Sequence, residues 1–251
     1  MELTPRFAGG LAAFIIMMGA GTALADSAHV AVAANFTATA EELAAAFKAE
    51  SGHDLVLSFG ATGTLYTQIT QGAPFEVFLS ADARRPKQAV DEGLGVPDSI
   101  FTYAIGTLAV YSTTIDLSAG LEVLKSGAFE KLAIADPETA PYGAAAVEVL
   151  KGLGLYEIVE PKLVTGENIS QTLQFIASGN AELGFVALSQ VADAAPHRVF
   201  AVPTELHAPI TQDAVLLRTG EANVAAQAFI AFLKGDVARE IISQAGYAVA
   251  D

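Results

Sequence analysis

The chain has 251 residues, a formal net charge of −15 and no cysteine. Such acidity argues against nucleic acid and anionic membrane surfaces as partners, because affinity for both is carried by basic patches. With no cysteine, a disulfide framework and thiol chemistry are excluded as well.

The first 25 residues read as an export leader rather than as part of the fold. Arg6 supplies a positive start, Phe7–Met18 an apolar run, and Ala23-Leu24-Ala25 the small-x-small cleavage pattern before Asp26. The apolar run is short for a membrane span of about 20 residues. Cleavage after Ala25 and a periplasmic address are therefore expected. The mature chain is long enough for one large domain or two smaller lobes.

Ala28–Ala34 reads as a first strand, and Ala38–Lys48 as a helix with Ala40, Leu43, Ala44 and Phe47 on one face. Two helix starts compete: Asn35 as a direct cap, or Thr39-x-x-Glu42 as a capping box one turn later. Leu55-Val56-Leu57 is a buried strand that runs into Ser58–Gln71, SFGATGTLYTQITQ. There a glycine turn with hydroxyls leads into a helix carrying Leu65 and Ile69. Such a junction aims backbone N–H groups and the positive end of a helix dipole at an anion. It holds no Lys or Arg and does not match the P-loop pattern, which argues against a nucleotide.

Pro74–Asp82 contains a buried strand at Val77-Phe78-Leu79. The basic cluster Arg84-Arg85-Pro86-Lys87 is expected on a solvated face. Thr102–Tyr111 reads as one strand, with Gly106 marking a hinge where the chain leaves the first lobe. Leu121–Gly127 is a short helix and Lys131–Ala135 a strand. Ala140-Pro141-Tyr142-Gly143 then forms another junction before a helix over Ala144–Lys151. After a strand at Lys162–Val164, Asn168-x-x-Gln171 resembles a capping box that would leave the N–H groups of Ile169 and Ser170 free. Strands at Leu183–Leu188, Val199–Val202 and Ala214–Leu217, then helices at Asn223–Lys234 and Val237–Ala245, complete the chain. The alternation indicates an α/β fold with parallel sheet, whose anion sites lie beyond the carboxyl ends of strands.

Catalytic machinery is sparse. The four histidines (His29, His53, His197 and His207) show no zinc-ligand spacing, and no nucleophile elbow is present. His207 reads as a surface loop residue. Asp82 and Asp136 follow strands and could serve acid–base chemistry, but a helix start and an Asp-Pro turn account for them more simply. What remains is a set of neutral donors suited to a fully ionised oxyanion. A ligand that keeps a proton would need a matching acceptor, and Glu167 is the only acid near any of the junctions.

Taken together, Val30–Thr37 (VAVAANFT), Ser58–Ile69, Gly72–Asp82 (GAPFEVFLSAD), Ala135–Gly143 (ADPETAPYG), Glu160–Leu163 (EPKL), Leu183–Gln190 (LGFVALSQ) and Phe232–Gly235 resemble the periplasmic molybdate-binding proteins of ABC transporters. The resemblance covers essentially the whole mature chain. It implies a two-lobed type II periplasmic binding fold that closes on a tetrahedral oxyanion. Residues 26–104 plus 208–251 would form one discontinuous lobe and 105–207 the other. Carried over by position, the family's first ligand hydroxyl falls on Asn35, whose amide can donate in its place. The second falls on Thr62, and two backbone N–H donors fall on Tyr142 and Ile169. Some members add a tyrosine hydroxyl where this chain has Ala187, and the side chain of Tyr142 is a candidate to replace it. The function implied is capture of molybdate, and of tungstate, for delivery to a membrane permease by a monomer needing no cofactor. A sulfate or other oxyanion binder is the alternative within the fold; an enzyme using Asp82 or Asp136 is the alternative outside it.

Overall fold

The computed structural model describes Met1 and residues 26–249. The leader and its cleavage site lie outside the described residues.

The first lobe is built on strands β1 (Ser27–Ala33), β2 (Asp54–Gly60), β3 (Val77–Leu79) and β4 (Phe101–Gly106), with helices α1 (Thr37–Ser51), α2 (Thr62–Thr70) and α3 (Arg84–Asp91) between them. The second lobe holds β5 (Leu108–Tyr111), α4 (Glu122–Ser126), β6 (Leu132–Ala135), α5 (Pro141–Gly152), α6 (Tyr156–Val159), β7 (Leu163–Gly166), α7 (Ile169–Ala177), β8 (Leu183–Ala187) and β9 (Val199–Ala201). The chain then returns to the first lobe with β10 (Ile210–Leu216), α8 (Val224–Leu233) and α9 (Asp236–Gln244).

Each lobe has one five-stranded sheet, in the orders β2-β1-β3-β10-β4 and β7-β6-β8-β5-β9. The two orders follow one plan. Parallel strands form one side, and a single strand that has just crossed from the other lobe, β10 or β5, runs antiparallel to both its neighbours. The sheets are therefore mixed, where alternation of strands and helices alone suggests parallel ones. That alternation cannot register a strand arriving from the opposite lobe.

Thr102–Tyr111 is two strands rather than one. Ile105 and Gly106 pair with Thr211 and Ile210 in the first sheet, while Leu108 pairs with Ala187 in the second. The first lobe thus holds the chain through Gly106, two residues past the boundary expected at 104. A Cβ on Gly106 would lie 2.0 Å from the Tyr142 hydroxyl, so close approach of a side chain from the other lobe requires glycine here.

Both faces of the first sheet are covered. Phe36, Phe47, Phe229, Phe232 and Ile242 pack on one side beneath α1, α8 and α9. Leu65, Ile69, Phe78 and Val215 pack on the other beneath α2. In the second lobe Ile134, Tyr142, Leu150, Leu183 and Phe185 form a core that extends to Ala33, Ala34, Ala61 and Ala81 of the first lobe. Apolar packing between the lobes is thus continuous, and the molecule is closed. Among the described residues no helix is long and apolar enough to cross a membrane.

Candidate functional site

Four strand-to-helix junctions, joined by Ala81 after β3, converge on one cavity between the lobes. From the first lobe come Ala33, Ala34 and Asn35 after β1, Gly60, Ala61 and Thr62 after β2, and Ala81 after β3; from the second come Ala140, Pro141 and Tyr142 before α5, and Asn168 and Ile169 before α7. The structure therefore brings Asn35, Thr62, Tyr142 and Ile169, far apart in sequence, to the same wall. They enclose a small space, roughly 200 Å³ including its open mouth. Among the described residues no charged side chain lines the cavity. Glu167 is exposed and stands apart from it.

Helix geometry explains the donors. Thr62 and Ile169 are first helical residues and Tyr142 follows Pro141 at the second position, so their N–H groups have no intrahelical acceptor. Pro141 suits that start because its missing N–H would be unpaired in any case. Asn168 caps α7, its Oδ1 accepting from the N–H groups of Ser170 and Gln171 at 3.0 Å each. Ile169 thus keeps a free N–H and Ser170 does not, which corrects the expectation for Ser170. Its hydroxyl instead donates across the cleft to the Ala34 carbonyl (3.0 Å).

Several backbone acceptors of the wall are already in use. The carbonyl of Ala34 accepts from the Thr37 and Ser170 hydroxyls, that of Ala61 from Leu65, that of Ala140 from Gly143 and Ala144, and that of Asn168 from Thr172. Thr62 Oγ1 accepts from the Ala81 N–H (3.0 Å), which leaves the hydroxyl hydrogen to donate elsewhere. A wall with spare donors at helix starts and most of its carbonyls occupied favours an anion.

Asn35 departs from expectation. Neither it nor Thr39 caps α1; a 3₁₀ turn over Ala34–Phe36 runs straight into the helix. The Asn35 amide nitrogen donates to Gln212 Oε1 (2.9 Å) and to the Tyr247 hydroxyl (3.1 Å), so both its hydrogens are engaged within the protein. The Tyr142 side chain is buried, and its hydroxyl accepts from Gln212 Nε2 (3.1 Å). Burial, reinforced by Tyr247 and Tyr103, holds the Tyr142 hydroxyl well above the usual phenol range, so it stays protonated. Ala187 is buried in β8, where it pairs with Leu108.

A second set of residues closes the cleft. Gly63 N–H donates to the Thr139 carbonyl of the other lobe (2.8 Å). Arg85 is buried rather than solvated: it is ion-paired with Asp82 and donates from Nη2 to the Glu138 carbonyl (3.0 Å). Asp82 also accepts from the Arg85 N–H (2.9 Å), which offsets a cation at a helix start. A Cβ on Gly63 would sit 2.6 Å from Arg85 Nη2 and 2.9 Å from Thr139 Cα, so only glycine lets the loop seat. Asp136 organises that loop, accepting from the Glu138 N–H (3.0 Å) and the Thr139 hydroxyl (3.1 Å). Both aspartates thus have structural partners and neither lines the cavity. His207 is buried at the return crossing, its Nδ1 2.7 Å from the Ala208 carbonyl, and is not the surface residue expected. Among the described residues no cluster of His, Asp and Glu could hold a metal ion.

Two lobes joined by two crossings, with a small site walled by helix starts in the cleft, define a solute-binding protein. The match to the bacterial extracellular solute-binding protein family runs over residues 28–248. The chain is 53% identical to the molybdate-binding protein ModA of Rhodobacter capsulatus over 96% of this chain and 95% of that one. It is 49% identical to ModA of Azotobacter vinelandii, over 94% and 97% of the two chains. The solved periplasmic molybdate-binding protein of Azotobacter vinelandii superposes with a TM-score of 0.83 at 37% identity, covering 89% of this chain and all of that one. The sulfate-binding protein SubI of Mycobacterium tuberculosis, at 16% identity and a TM-score of 0.70, shares the fold. The chain belongs to the bacterial extracellular solute-binding protein family and, within it, to the molybdate-binding proteins; it is a binding protein and not an enzyme.

Proposed function

We propose that the protein captures molybdate, and tungstate equally, in the periplasm and delivers it to the membrane permease of an ABC transporter. The observation that carries this reading is the polarity of the cavity wall: it offers unpaired N–H donors at helix starts and the Thr62 hydroxyl hydrogen, while the carbonyls of Ala34, Ala61, Ala140 and Asn168 are occupied. Thr62 donates through its hydroxyl and its N–H, and Tyr142 and Ile169 through backbone N–H groups at helix starts. Each charge-assisted hydrogen bond contributes about 1.5–3 kcal/mol. Several of them, with two helix dipoles, offset the desolvation of a dianion and leave binding in the micromolar range or tighter. Phosphate, which keeps a proton near neutrality, would find the carbonyls of Ala34, Ala61, Ala140 and Asn168 already taken. Sulfate is smaller and would leave donors unpaired, and relatives named for molybdate at 53% and 49% identity favour the larger anion. No cofactor takes part, and the protein acts as a monomer.

The closing contacts through Gly63, Arg85 and Ser170 support a ligand held between two moving lobes. Small-angle scattering and thermal melting of the mature chain test this. Molybdate at 100 times its Kd should compact the molecule and stabilise it by about 2.7 kcal/mol. Tight binding with an unchanged radius would contradict closure. Export with cleavage after Ala25 is checked by the mass of the periplasmic protein, which should begin at Asp26.

A further inference from the structure

Behind the cavity lies a buried polar network that the proposed ligand contacts do not absorb. At its centre is Gln212, a fully buried residue of β10 next to an irregularity in the pairing with β4. Its Oε1 accepts from Asn35 Nδ2 (2.9 Å) and from the Tyr103 hydroxyl (3.1 Å), and its Nε2 donates to the Tyr142 hydroxyl (3.1 Å). Tyr247 flanks it, donating to the Asn35 carbonyl (2.8 Å) and accepting from the Ser189 hydroxyl of the second lobe (2.8 Å). Gln212 therefore ties two cavity residues from opposite lobes, Asn35 and Tyr142, through the two unlike ends of one carboxamide.

That unlikeness has a chemical consequence. A carboxamide has one donating end and one accepting end. Because the Asn35 amide nitrogen spends both its hydrogens on Gln212 and Tyr247, the side chain has no donor left for a ligand. Because Tyr142 accepts from Gln212, its own hydroxyl hydrogen has no acceptor among the described residues, and a buried donor requires one. We propose that Gln212 is a positioning residue of the binding site: it withdraws the Asn35 amide from the ligand and turns the Tyr142 hydroxyl hydrogen toward the cavity as a further donor, coupling that donor to closure. This rests on the oxyanion reading above and extends it to a residue that does not itself line the cavity.

The groups facing Gln212 are the hydroxyls of Tyr103 and Tyr142, held above the ordinary phenol range by burial, and the Asn35 amide. The nearby acids are Asp213, bonded to the Thr102 hydroxyl at 2.7 Å, and Asp82, paired with Arg85.

The test is calorimetric titration of the mature chain with molybdate from pH 5 to 8, for the parent, Gln212→Glu, Gln212→Met and Tyr142→Phe. In Gln212→Glu the ionised carboxylate accepts from both neighbours, drawing the Tyr142 hydroxyl hydrogen away from the cavity and setting a negative charge behind it. Its affinity should fall at least about 100-fold at pH 8. It should recover as the pH drops and the carboxyl regains a donating end, while the parent stays nearly flat. Gln212→Met should lose about tenfold at every pH, and Tyr142→Phe should cost less in that background than in the parent. Circular dichroism checks each variant; if Gln212→Glu does not fold, the Met variant and its coupling to Tyr142→Phe decide. Parent-like affinity of either Gln212 variant at pH 8, a Gln212→Glu loss that ignores pH, or additive Met and Phe effects would overturn the proposal. A parent that fails to bind molybdate would instead overturn the oxyanion reading itself.

Discussion

The wall from the first lobe adds a side-chain hydroxyl, that of Thr62, which accepts from the Ala81 N–H, to the backbone N–H at the start of α2, whereas the second-lobe junctions bring backbone N–H groups alone at the starts of α5 and α7. The difference lies in what a substitution can reach. A side-chain donor is lost by truncation. A backbone donor survives almost any change except proline, or a shift of the whole helix. The first lobe is thus where sequence drift would retune the ligand, and the second supplies a fixed scaffold that arrives by closure.

The largest effect should come from preventing that arrival. Gly63→Ala places a methyl group against Thr139 Cα of the other lobe, the backbone on which the first lobe closes, and against the end of the Arg85 side chain in its own lobe. Overpacking costs about 1–3 kcal/mol, and displaced second-lobe donors add to it, so affinity should fall at least about 100-fold by calorimetry. Alanine favours the α2 helix, so the melting temperature without ligand should not fall. A lowered melting temperature with affinity intact would break the assignment of Gly63 to closure.

Next are the donors themselves. Thr62→Ala should weaken molybdate binding by about 1.5–3 kcal/mol, or about 10–150-fold. Ile169→Pro should cost a similar amount by removing one N–H at a position where proline is tolerated, while Ile169→Val should bind like the parent. A large loss in the valine variant would show that the second wall acts through its side chain, and the contrast between the walls would fail.

Arg85→Ala should be milder, about tenfold in affinity, since it removes one hydrogen bond between the lobes and touches no ligand. Stopped-flow release of molybdate should show the change in the dissociation rate. Asp136→Asn should be smallest, within about threefold, because one amide oxygen can still organise the Glu138–Thr139 loop. Loss of binding in that variant would give Asp136 a role in the site that its position outside the cavity does not support.

The junctions were legible in the sequence because each carries local chemistry: glycine and hydroxyls at Gly60–Thr64, proline at Pro141, an Asx cap at Asn168. Side chains that act across the cleft were not. Arg85 reads as one of a solvated basic cluster, and nothing local reveals Asp82 and Glu138 beside it. Gln212 sits in a strand whose neighbours come from positions near 104 and from the second lobe. The occupation of Asn35 depends on Gln212 and Tyr247, 177 and 212 residues away. Likewise the two strands hidden in Thr102–Tyr111 are separated by pairing partners rather than by any break in hydrophobicity.

The central claim, that a donor-rich wall without charged side chains selects a fully ionised tetrahedral oxyanion of molybdate size, is tested most directly by one competition series. The purified mature chain is titrated by calorimetry at pH 7 with molybdate, tungstate, sulfate and phosphate in turn. Molybdate and tungstate should bind with equal affinity, sulfate at least roughly 100-fold more weakly, a gap of about 2.7 kcal/mol, and phosphate more weakly still. Sulfate or phosphate as the tightest ligand would contradict the account.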